Sequence, residues 1–89
     1  MKTQTSMKGC EPNPELDARM ETLRAKVAKT LPDALFAKFA LEATPGVYAV
    51  GLVVALDGGA TIVRHGSGLD WERAFMELDR RLDRVAETE

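Results

Sequence analysis

The chain has 89 residues, 12 of them basic and 14 acidic, for a net charge of -2, with 45% hydrophobic and 29% charged residues. That balance excludes a disordered chain and a strongly basic, phosphate-seeking surface. A single domain of this size buries only about 60–65% of the surface its unfolded chain exposes, so its stability margin is thin.

Residues 1–13 (MKTQTSMKGCEPN) are polar, lack periodicity and end at a proline, and read as a flexible N-terminal tail ahead of a single α+β domain over residues 14–89. Cys10, the one cysteine, excludes an internal disulfide and points to a reducing compartment. Asn13, Pro14 and Glu15 supply a cap, a first-turn proline and a first-turn acid, the start signals of a helix. Leu16, Met20, Leu23, Val27 and Leu31 then recur at helical spacing, with Asp17, Glu21, Arg24 and Lys29 on the solvated side. The run Thr30, Leu31, Pro32, Asp33 resembles a second cap. A short second helix is expected to follow through about Ala43, burying Leu35, Phe36 and Phe39, and to stop at Pro45 and Gly46.

Residues 47–56 contain no charge and no polar side chain apart from the Tyr48 hydroxyl. Even positions are bulky (Tyr48, Val50, Leu52, Val54, Leu56) and odd ones mostly small (Ala49, Gly51, Ala55, with Val47 and Val53). The bulky face suits the chain's own helices, whereas a flat face centred on Gly51 admits close approach of something else. Asp57, Gly58 and Gly59 signal a tight hairpin turn. A two-residue turn would put Ile62 and Arg64 on the small face, and a three-residue turn would reverse that. Ser67, Gly68, Leu69 and Asp70 open a last helix with an apolar stripe of Trp71, Ala74, Phe75, Leu78, Leu82 and Val85.

The expected architecture is therefore α+β, in the order α-α-β-β-α, with a two-stranded antiparallel hairpin. A lone hairpin is marginal and leaves two edges, so a homodimer joined through hairpin edges or small faces is expected.

Chemistry is thinly represented. His65 is the only histidine and reads as a surface or sheet-edge residue; Ser67 reads as a helix cap. No cluster of His, Cys, Asp and Glu at ligand spacing and no glycine-rich phosphate loop is visible, so no catalytic residue, metal or cofactor is assigned and an enzyme is not expected. No stretch is apolar enough to span a bilayer, and a cytoplasmic place without membrane contact follows as the expectation. Residues 1–46 hold 7 Lys/Arg and 6 Asp/Glu, while residues 47–89 hold 5 and 8. Glu77, Asp79 and Asp83 interleave with Arg73, Arg80 and Arg84, which argues against nucleic acid. The primary expectation is a small interaction protein that binds another protein and inhibits or regulates it, as small acidic phage-type inhibitors do. Its expected surface comprises Ala49, Gly51, Val53 and Arg64, rimmed by Arg73, Arg80 and Arg84.

Residues 58–85 resemble the end of the ribosome hibernation-promoting proteins, where a glycine turn leads to a final strand and a helix of a set apolar pattern. The matching positions are Gly59, Asp70, Trp71, Ala74, Phe75, Leu78 and Leu82. The resemblance implies the alternative, a ribosome- or RNA-associated factor using Arg73, Arg80, Arg81 and Arg84. Double-stranded-RNA-binding domains share the strand–turn–helix ending but carry lysines where Asp70, Glu72 and Arg73 stand. The hibernation family's strand before the first helix is not read in residues 1–13, nor is its basic character.

Overall fold

The structure, a computed structural model, describes residues 1–88, with side chains through residue 83. Its element order is β1 (Lys2–Lys8), α1 (Pro14–Thr30), β2 (Ala34–Thr44), β3 (Val47–Leu56), β4 (Thr61–Gly68) and α2 (Trp71–Thr88). The four strands form one mixed sheet in the order β1-β2-β3-β4, with β1 parallel to β2 and the other neighbours antiparallel. Both helices cover the same face.

The expected α-α-β-β-α order is thus corrected to β-α-β-β-β-α. The segment expected as a second helix is strand β2. In ALFAKFALEAT, Ala37, Phe39 and Leu41 are buried at every second position, while Leu35 is exposed. Alanine, leucine, glutamate and lysine favour helix locally, but pairing on both sides and burial of one face outweigh that preference.

The segment expected as a flexible tail is strand β1. Its members are polar because it lies at the sheet edge, with only Met7 reaching the core. Helix α1 is the crossover that a parallel β1–β2 pair requires. The strand that the resemblance calls for before the first helix is therefore present.

Helix α1 begins as its cap residues predict. Asn13 Oδ1 accepts from the Leu16 amide at 2.9 Å, and Pro14 occupies the first turn. Leu16, Met20, Leu23 and Val27 pack downward. Helix α2 is capped by Asp70, whose Oδ1 accepts from the Arg73 amide at 2.8 Å; Ser67, expected as a cap, belongs to β4. Ala74, Phe75, Leu78 and Leu82 of α2 join Phe39, Leu41, Val50, Leu52 and Val54 in one core. Trp71 meets Tyr48 edge-on, with ring centroids 4.9 Å apart.

Helix α2 lies so close to β4 that only glycine fits at Gly66. A Cβ there would lie 2.1 Å from Ala74 O and 2.6 Å from Leu78 N.

The β3–β4 turn has three residues. The Leu56 amide donates to Ala60 O at 2.8 Å, leaving Asp57, Gly58 and Gly59 outside, with both glycines at positive φ. The longer turn puts Ile62 and Arg64 on the helix side and Val63 and His65 on the other.

Candidate functional site

The sheet's second face is not covered by any helix. The register aligns its side chains in cross-strand rows: Lys2–Phe36–Ala55–Thr61, Gln4–Lys38–Val53–Val63, Ser6–Ala40–Gly51–His65 and Lys8–Glu42–Ala49–Ser67. Small residues make the floor of its middle. A shallow depression of about 550 Å³ lies over Ala40, Ala49 and Gly51, bounded by Lys8, Lys38, Glu42 and His65, with Glu77 and Arg81 of α2 also lining it. A Cβ added to Gly51 would come within 3.3 Å of His65 Cδ2, so the imidazole leans over the glycine.

The charge on this face differs from that of the whole chain. Lys2, Lys8 and Lys38 stand against Glu42 alone, and among the described residues none of the three lysines forms an ion pair. The helix layer is different, for most of its cations are neutralised at short range. Arg19 pairs with Glu15 at 3.1 Å, Arg24 with Glu21, and Arg81 with Glu77 at 3.0 Å. Lys26 of α1 reaches both Asp79 and Asp83 of α2, at 2.6 and 2.5 Å. Hydrogen bonding to Arg24 holds the Glu21 carboxyl below its ordinary pKa.

The residues expected as an interaction surface divide. Ala49, Gly51 and Val53 lie together on the open face, half-buried. Arg64 does not join them: its side chain turns to the helix side of edge strand β4 and donates to Val63 O at 2.7 Å. Arg73 and Arg80 lie on exposed α2 around a separate depression that includes Leu69 and Met76. Arg73 sits 3.8 Å from Asp70. The side chain of Arg84 falls outside the described residues. Arg81 donates to His65 O at 2.7 Å, so it braces the β4 edge.

Lys2, Lys8, Lys38 and Phe36 are missing from the expected surface because the strands that carry them read as tail and helix. The alternation Lys2, Gln4, Ser6, Lys8 is the signal that aligns the first strand.

Cys10 is half-buried, with Sγ 4.0 Å from Leu41 O, and packs against the core. Among the described residues, no three His, Cys, Asp or Glu side chains converge as a metal site requires, and no helix is long and apolar enough to cross a membrane.

Two geometric findings remove the basis for the edge-joined form of the expected dimer. Strand β3 is central and paired on both sides, so the hairpin has no free edge there. The outer strand β4 has carbonyls occupied by Arg64 and Arg81, which blunts it for pairing.

No family model matches the chain, and no curated protein sequence does. Solved structures do. A ribosomal subunit interface protein from Coxiella burnetii superposes with a TM-score of 0.80 at 17% identity, covering 99% of this chain and 96% of that one. The N-terminal domain of Protein Y from Thermus thermophilus superposes with a TM-score of 0.74 at 18% identity, covering 99% and 94%. At these identities the likeness is one of fold, and the fold is the one these two proteins share. It overturns the expectation of an inhibitor or regulator of another protein acting as a homodimer, and of a protein partner in preference to nucleic acid.

Proposed function

We propose that this protein is a ribosome-associated factor that contacts RNA. The observation that carries the reading is the superposition of nearly the entire chain on a ribosomal subunit interface protein, helices and strands in the same order, with almost nothing left over in either chain. The distribution of charge supports it from a second direction. The net charge of -2 is a poor guide to any one surface, because the strands hold Lys2, Lys8, Lys38 and Arg64 against Glu42 while the other acids lie in loops and on the two helices. The role is one of binding, with no reaction assigned, and a cytoplasmic place follows from the partner.

The test is sedimentation with purified bacterial ribosomal particles through sucrose gradients at low salt. The protein should travel with a particle and be released as salt rises, because contacts to phosphate displace condensed counterions. Protein that stays at the top of the gradient at the lowest salt overturns the reading.

A further inference from the structure

We infer that the open sheet face, and not the helix layer, is the RNA-contacting surface, and that it takes a single strand with its bases unpaired. The inference rests on the RNA association proposed above and adds the surface and the form of the ligand.

Three observations converge. First, three cations without an ion pair among the described residues gather on this face, Lys2, Lys8 and Lys38, at the ends of β1 and on its neighbour β2, whereas the unpaired Lys29 and Arg80 stand apart on α1 and α2. Lys2 and Lys8 are separated by about 20 Å along the strand, at roughly 3.3 Å per residue. A chain of phosphates therefore meets positive charge along the whole edge.

Second, the face offers two π surfaces, Phe36 on β2 and His65 on β4. Phe36 is half-buried yet belongs to the open face, because its cross-strand partner is Ala55 and the adjacent Ala37 is the one fully enclosed. Stacking on such rings is open only to bases that are not already paired in a duplex. Third, the ground beside His65 is flat. Ala40, Gly51 and Ala49 raise nothing above the backbone beyond a methyl group, so a planar group reaches the sheet unhindered there, with Val53 and Val63 standing between it and Phe36.

The helix layer lacks this combination. Most of its basic side chains are tied to Glu15, Glu21, Glu77, Asp79 and Asp83, so binding through them would first have to break ion pairs. Lys29 and Arg80 are the exposed exceptions; Lys29 stands alone on α1, and Arg80, with Arg73, flanks Met76 and Leu69 with no ring between them.

The experiment measures fluorescence anisotropy of a labelled 12-nucleotide single-stranded RNA, and of its duplex, with the full chain at a series of low salt concentrations. The wild type should prefer the single strand. Replacing Lys2, Lys8 and Lys38 together by alanine should weaken binding at least tenfold and reduce the log–log salt slope by about 2, near 0.7 for each phosphate that a lysine neutralises on a single strand. His65→Ala and Phe36→Leu should each weaken binding about fivefold or more without changing the salt slope, since stacking displaces no counterions. Phe36→Leu keeps apolar bulk, and a thermal melt of each variant confirms the fold.

An unchanged affinity in the triple lysine variant overturns the inference; if the wild type still sediments with ribosomes, the functional reading survives without it. A loss confined to Arg73→Ala with Arg80→Ala transfers the surface to α2 and overturns it also. Equal or tighter duplex binding overturns the single-strand assignment. A wild type that binds neither RNA nor ribosomal particles overturns both the inference and the reading beneath it, as does a concentration-dependent dimer with the open face occluded.

Discussion

The two faces of the sheet are made by the same four strands, yet they divide the work. On the covered face Phe39, Leu41, Val50, Leu52 and Val54 meet α1 and α2 and are at most 2% exposed. On the open face the alternate residues of the same strands are mostly small or polar, with Phe36, Val53 and Val63 as the larger apolar exceptions. In β3 the two regimes alternate residue by residue, Leu52 inside and Gly51 outside. Period-two geometry lets one apolar strand serve a core and a binding floor at once, provided bulk is confined to one parity. Stability should therefore depend on one parity of these strands and binding on the other.

The largest expected effect is on the covered side. Leu52→Ala removes a nearly fully enclosed side chain from the core and should cost about 3–5 kcal/mol, the range for a buried leucine whose cavity does not collapse. Against a total of about 5–15 kcal/mol for a domain, that is a severe loss, measured by urea unfolding. A cost below about 1 kcal/mol would mean the covered face is not the core.

Next comes Gly66→Ala, on the same side. The added methyl would press on Ala74 O and Leu78 N, backbone atoms of α2 that yield only if the helix shifts. Overpacking of this kind should cost about 2–3 kcal/mol, with a matching fall in melting temperature. The same substitution on the other face is the contrast. Gly51→Ala meets only the edge of the exposed His65 ring, which is free to swing away, so stability should change by less than about 1 kcal/mol. Equal costs for the two glycines would break the comparison.

What is legible from residues alone follows the same division. The size alternation from Val47 to Leu56 announces both faces of β3, because bulky and small residues exchange places there. Ala49, Gly51 and Val53 fall together on that basis. Strand β2 hides because ALFAKFALEAT satisfies a helical stripe as well as a strand, and Pro32 before it mimics a helix start. Strand β1 hides for the opposite reason: an edge strand wetted on both sides has little apolar pattern to display. Its partner in the sheet lies across α1, a pairing that no local signal encodes. With β1 and β2 read as tail and helix, the lysines of the open face have no surface to belong to. The hairpin then calls for a second copy to cover edges, one of which β2 in fact covers.

The smallest predicted effect sharpens the comparison from the side of charge. Lys26 bridges the two helices through Asp79 and Asp83, with its side chain 28% exposed. Partial burial pulls its ammonium pKa down, but the hydrogen bonds to the two carboxylates outweigh this, and the net displacement is upward from 10.5. A cation whose folded pKa is raised adds stability at every pH below its unfolded value, and that contribution disappears as pH climbs through the folded value. Lys26→Met, which keeps the apolar stem, should therefore cost about 1 kcal/mol or less at pH 7 and low salt, and less as salt is added. The gap between wild type and variant should stay constant from about pH 6 to about pH 9 and close above about pH 11, near and beyond the ordinary lysine range. Lys38→Met on the open face, where no carboxylate pairs with the ammonium, should cost less than Lys26→Met at about pH 7 and low salt. If the two variants lose equal stability in urea titrations at about pH 7 and low salt, the charges of the helix layer are no more committed to the fold than those of the open face. The distinction on which the RNA surface was chosen would then lose its electrostatic half.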